Sequence, residues 1–193
     1  MYTLVFSKVF KGYRKPSLDT TYISSVFNRS KWLVFSSISS VICLKIDQLM
    51  LGEMSSMSEL GNYAVAVRFS EVWYFVPAII MTSYFPKLIS LKNKSTEKYE
   101  GYLQALCNKL FVISLGITIF MVLVSEVLIT ILYGDIYIGA AEILVVHIFG
   151  SIFIFMRALF SKWIVNEGVY KFSLLTNALA AVVNVILNIF LLF

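Results

Sequence analysis

Apolar residues gather in five long runs, roughly 32–51, 63–88, 106–133, 141–164 and 172–193, separated by short polar stretches. A helix needs about 20 apolar residues to cross a hydrocarbon core of roughly 30 Å, and each run is long enough. None shows the two-residue alternation of a membrane β-strand. A lone strand would leave its backbone unpaired in lipid, so each run predicts a membrane-spanning α-helix. The predicted fold class is an all-α polytopic membrane protein of about five transmembrane helices. Pro77 interrupts the second run and predicts a bend, because proline frees a backbone carbonyl one turn earlier. Pro86 marks the end of that run.

Residues 1–31 read as a basic segment ahead of the bundle. Its apolar start is too short to span, and its charges follow the apolar part, unlike a signal peptide. It reads as the stub of a preceding helix or as an interfacial segment. The last run closes on "NIFLLF" with no polar or aromatic-anchored flank, and the expectation is a piece of a larger transporter.

Composition supports lipid as the main solvent. Hydrophobic residues make up 59% of the chain and charged residues 14%, against about 45–50% and about 25% in soluble domains. Mean hydropathy is +0.84. A net charge of +5 does not point to nucleic acid, because the basic residues sit where topology places them. Lys8, Lys11, Arg14, Lys15, Arg29 and Lys31 precede the first run. Lys87, Lys92, Lys94 and Lys98 lie between the second and third, with Lys109 just inside. Arg157, Lys162 and Lys171 are assigned to the ends of the fourth-to-fifth connection. The other two connections carry Glu53 and Glu59, then Asp135 and Glu142, without lysine or arginine. Basic loops thus alternate with acidic ones, which predicts a cytoplasmic N-terminus. Cys43 and Cys107 read as small membrane-buried hydrophobes and not as a disulfide or metal pair.

Charges inside spans are costly and usually face a bundle interior or a watery cavity. Four qualify: Lys45, Asp47, Arg68 and Glu71. Lys45 and Asp47 fall about 20 Å along the first helix from Trp32, and Arg68 and Glu71 about 9–13 Å from the opposite end of the second. All four come to a similar depth with zero net charge, so a shared polar chamber is expected. Ser36, Ser40, Cys43 and Asp47 recur on one helical face. Lys45 lies about 200° round from Asp47. Arg68 and Glu71, three apart, share a face. In the fifth helix Asn177, Asn184 and Asn188 also share a face, read first as interhelical hydrogen bonding and second as a strip facing sugar. His147 reads as a hydrogen-bonded packing histidine, with a proton relay as the alternative. Glu126 lies close enough to a helix end to reach water.

No catalytic signature appears: there is no GxSxG, HExxH or P-loop. An enzyme is not expected, nor a resident cofactor or metal beyond a coupling proton or sodium ion. The segments "KIDQLMLGEM" and "ELGNYAVAVRFSEVWYFVPAIIMTSYFPKL", and later "NEGVYKFSLLTNALAAVVNVILNIFL", resemble bacterial polysaccharide flippases of the Wzx type. That group sits with the MATE drug exporters and the lipid II flippase MurJ. The matching positions are Asp47 before Met-Leu-Gly, Gly61 and Tyr63, then Glu71, Trp73, Tyr74 and Pro77, and a closing Phe-Pro. The resemblance runs from about Lys31 onward and covers most of the second half of such a transporter, in the bacterial inner membrane. It implies flipping of undecaprenyl-pyrophosphate-linked oligosaccharide, as in O-antigen and lipopolysaccharide biosynthesis, between inward- and outward-open states. It also implies partners: membrane lipid, the lipid-linked oligosaccharide, and the missing N-terminal half or a polymerase or ligase. Asp47, Arg68 and Glu71 are then cavity or gating residues, with Arg68 suited to pyrophosphate and Asp47 and Glu71 to a coupling ion. Three other readings stand beside it. A MATE-type exporter would want an acidic cavity, a truncated remnant would not transport, and a membrane glycosyltransferase would need larger loops.

Overall fold

The computed structural model describes residues 19–192; residues 1–18, most of the basic N-terminal segment, lie outside that range. The chain forms α1 (Thr20–Met54), α2 (Met57–Glu71), a 3₁₀ turn (Val72–Tyr74), α3 (Phe75–Lys92) and α4 (Thr96–Tyr133). A second 3₁₀ turn (Asp135–Tyr137) leads to α5 (Gly139–His147), α6 (Gly150–Glu167) and α7 (Tyr170–Leu192). With α2–α3 and α5–α6 each counted as one stretch, five are long and apolar enough to cross a membrane among the described residues. This is an all-α polytopic membrane protein, as the apolar pattern predicts.

The helices outrun the apolar runs. α1 begins at Thr20, not near residue 32, because the Asp19 side chain accepts from Thr21 N at 2.9 Å and Tyr22 N at 3.2 Å and caps the helix there. Hydropathy marks where lipid begins, whereas capping marks where the helix begins. Ser56 and Glu59 form a reciprocal capping box that starts α2 five residues or so ahead of its apolar run. Ser95 likewise caps α4, and α6 runs on to Gly168, whose φ of 73° ends it in the left-handed region. Pro77 acts as expected. The helix tightens to a 3₁₀ turn at Val72–Tyr74, where Pro77 denies Trp73 its carbonyl partner. Pro86 does not end the helix: α3 continues to Lys92.

The second and fourth stretches form the centre with α4. Near the acidic loops, Ala66, Met121, Ile129, Ala140, Leu144 and Ile148 interlock from α2, α4, α5 and the turn after it. Toward the basic loops, Met81, Leu106, Leu110, Phe155 and Leu159 do the same from α3, α4 and α6. At the basic end Lys92 pairs with Glu167 at 2.9 Å, and Tyr99 OH donates to Glu167 at 2.9 Å. That ties the turn after α3 to the turn after α6. The connections rich in lysine therefore share one end of the molecule.

α1 and α7, first and last in the described chain, pack on each other along their length. Ser36 meets Ser173 at 2.7 Å and accepts from Asn177 at 2.7 Å, while Asp47 accepts from Asn188 at 2.6 Å. The contacts advance equally along both helices, so the pair is parallel. A direct check is a cysteine pair at the first of these contacts. Ser36→Cys with Ser173→Cys, in a chain with Cys43 and Cys107 replaced by serine, should cross-link readily under mild oxidant. The hydroxyls already stand 2.7 Å apart, near disulfide range once the larger sulfurs replace them. Absence of the cross-link on a gel-shift assay would rule out this register.

Candidate functional site

The four charges predicted inside spans divide between two places. Lys45 Nζ contacts both carboxylate oxygens of Glu71 at 2.8 Å, joining α1 to α2. Together with Arg68, Gln48 and Tyr133 these two line a cavity of about 620 Å³. Arg68 is exposed on that face. Asp47 turns the other way, as its angular separation from Lys45 requires. It accepts from Asn188 at 2.6 Å and from Tyr63 OH at 3.2 Å, and does not line that cavity. Three of the four residues therefore come together, and the fourth belongs to the α1–α7 seam.

That seam absorbs both polar stripes. Asn177 donates to Ser36, Asn188 donates to Asp47 and also to Asn184 Oδ1 at 3.3 Å. Beyond Asp47, Tyr63 stands edge-on to His147 with ring centroids 6.1 Å apart. His147 Nδ1 lies 2.7 Å from Ser70 Oγ. A polar track thus crosses from α7 through α1 and α2 to the end of α5. It meets the central bundle where helices break: Ser70 directly precedes Glu71 and the 3₁₀ turn, and His147 ends α5. Each break holds a buried polar atom without a partner among the described residues, Trp73 Nε1 and Ser151 Oγ. Such atoms cost about 1–3 kcal/mol each; two others among the described residues, Asn62 Oδ1 and Tyr102 OH, lie away from the breaks.

A cavity of about 720 Å³ opens between α1, α6 and α7 on the basic side of the seam. Its wall carries Ser36, Ser40, Ser173 and Asn177, together with Phe153, Phe160, Trp163 and Lys162. One guanidinium projects into it. Arg157 lies inside α6, roughly 15 Å from the basic end at 1.5 Å per residue. It is half-buried and donates to Ser40 Oγ on α1. The sequence reading had placed Arg157 with the loop charges. The signal to the contrary is its eleven-residue distance from Gly168, the first glycine after the run.

A family model described as polysaccharide biosynthesis protein matches residues 1–142. The chain belongs to that family. No curated protein and no solved structure matches it. In this polysaccharide biosynthesis protein the matched part takes in α1 to α4 and the start of α5, and with them Lys45, Asp47, Arg68 and Glu71. Arg157 and the asparagines of α7 lie beyond it.

The cavity at Arg157 in this polysaccharide biosynthesis protein offers hydrogen-bonding groups and aromatic faces. A guanidinium presents a planar fork of donors suited to phosphate oxygens. Hydroxyls and a carboxamide suit a sugar, and aromatic faces suit sugar stacking. Among the described residues no group of three or more His, Cys, Asp or Glu stands ready to hold a metal ion.

Proposed function

We propose that this chain is part of a flippase that carries an undecaprenyl-pyrophosphate-linked oligosaccharide from the cytoplasmic to the outer leaflet of the bacterial inner membrane. The N-terminus and basic loops face the cytoplasm, and further helices supply the other wall of the path. The observation that carries this reading is Arg157 inside the membrane-spanning part, facing a cavity lined with hydroxyls and aromatics. A cation at that depth is costly unless it serves a buried anion or a polar path. Membership of a polysaccharide biosynthesis family supports reading that anion as a lipid-linked sugar phosphate and the role as transport. A drug exporter for cations is less well supported, because the ionisable residues of this cavity, Arg157 and Lys162, are basic.

The Lys45–Glu71 pair on the opposite side serves as a gate that parts when the α1–α7 unit rocks against the central bundle. Glu71 or Asp47 takes the coupling proton or sodium ion. Deleting the gene should stop surface polysaccharide while the lipid-linked oligosaccharide accumulates in the inner leaflet, out of reach of a glycosidase added from the periplasmic side. Loss of the lipid-linked oligosaccharide itself would instead place the protein in synthesis and overturn the transport reading.

A further inference from the structure

At the basic end, beyond the Arg157 cavity, a second pocket of about 590 Å³ lies between α1 and the turn into α7, lined by Trp32, Asn28, Tyr170 and Lys171. Two ammonium groups flank its Trp32 side chain, one of them from the pocket wall. Lys31 Nζ lies 5.5 Å and Lys171 Nζ 5.4 Å from the centroid of the Trp32 ring, within cation–π range. They arrive from helices at opposite ends of the chain, so two like charges are held around one indole. Neither has a carboxylate. The two ion pairs among the described residues are Lys45–Glu71 and Lys92–Glu167, and Lys31 bonds only the neutral Asn28 side chain at 3.2 Å. Residues 1–18 contain no Asp or Glu, so that segment has no side chain able to neutralise them. Asp19, at the start of α1, caps that helix, and Glu167, at the end of α6, is held by Lys92 and Tyr99.

We propose that this pocket binds the phosphate headgroup of an anionic phospholipid. Trp32 begins the apolar run of α1 and so sits at the level where headgroups meet hydrocarbon, the usual place for tryptophan. Paired basic side chains at that level on the lysine-rich side are the setting in which anionic lipid is recognised. A phosphate between Lys31 and Lys171 removes their repulsion and leaves the acyl chains to run along the apolar outer faces of α1 and α7, where Phe35, Ile38, Leu175 and Leu179 are exposed. Because the headgroup touches both α1 and α7, it also fastens the pair at its basic end. This holds irrespective of what the protein transports. Phe172 lines both this pocket and the Arg157 cavity, so the transported lipid phosphate is the rival occupant.

The test uses the full 193-residue chain, purified in dodecyl maltoside and titrated with phosphatidylglycerol, with phosphatidylcholine or with undecaprenyl phosphate, bound lipid being counted by native mass spectrometry. Phosphatidylglycerol should be retained at least tenfold more tightly than phosphatidylcholine. Lys31→Gln with Lys171→Gln should abolish that preference, Lys31→Arg with Lys171→Arg should keep it, and Lys94→Gln with Lys98→Gln should leave it unchanged. Equal retention of both phospholipids, or an unaltered preference in the glutamine pair, would overturn the proposal. Undecaprenyl phosphate displacing phosphatidylglycerol at equal concentration would assign the pocket to the transported lipid instead, and also overturn it. Loss of binding in the arginine pair as well would show a packing role for the lysines and count against it in the same way.

Discussion

Arg157→Ala is expected to lower polysaccharide export about a hundredfold, the largest loss of any single substitution in the chain. Removing one partner of a desolvated charged contact costs about 2–5 kcal/mol, and about 1.4 kcal/mol is a factor of ten. The arginine also has a structural contact, its bond to Ser40 Oγ on α1. Ser40→Ala separates the two roles, since it removes that contact and leaves the guanidinium in the cavity. Export should then stay within a few-fold of the parent, because the lost bond joins α1 to α6 and is not one made to the substrate. Arg157→Lys should fall between, keeping the charge without the planar fork. The measurement is surface polysaccharide in a strain that depends on this gene, normalised to the amount of protein in the membrane. If Ser40→Ala proved as damaging as Arg157→Ala, the arginine would be a strut between α1 and α6 and not a ligand for the substrate.

The second expected result concerns the bridge between α1 and α2. Lys45→Glu and Glu71→Lys should each reduce export at least about tenfold, since each leaves like charges facing one another at a depth where one unpaired charge costs about 2.5–3.5 kcal/mol. The two partners are partly open, at 46% and 28% of their side-chain surface, which keeps the expected loss below that for Arg157. Combining the two reverses the bridge and should recover most of the activity. Recovery will be incomplete, because Arg68 lies one turn from position 71 and lines the same cavity. A lysine at 71 faces that arginine, whereas the native glutamate is balanced by it. The same readout applies. A double variant no better than either single one would show that the ion pair is incidental to transport.

Much of this architecture was legible in the chain because it follows from one-dimensional signals. The five spans come from hydropathy, the grouping of lysine-rich turns at one end from loop charge, and the polar faces of α1 and α7 from helical spacing. Even the divergence of Lys45 and Asp47 follows from two residues of helical rotation. Pairing did not follow. Nothing in the spacing of Ser36 or Asp47 says that the complementary stripe is the asparagine run of α7, far along the sequence, and not its neighbour α2. The placement of Arg157 was lost for a related reason. A charge within a few turns of a loop looks topogenic until the helix length beyond it is known, and that length is set by Gly168 and by the Lys92–Glu167 and Tyr99–Glu167 contacts at the end of α6. The break at Ile148–Phe149 had no proline to announce it. The i→i+3 bonds of Phe149 to Val146 and Ser151 to Ile148 fall at the Gly150–Ser151 pair, a weaker signal for a kink than proline, beside buried Ile148.

The parallel union of α1 with α7 bears on how the protein is made. α1 leaves the ribosome well before α7 and exposes Ser36, Ser40 and Asp47 to lipid with their partners still untranslated. The insertion machinery must shelter that face until Asn177 and Asn188 arrive, nearly the whole chain later. Nascent chains stalled before residue 170 should therefore stay cross-linkable to the translocon through α1, and release of α1 into the bilayer should wait on synthesis of α7.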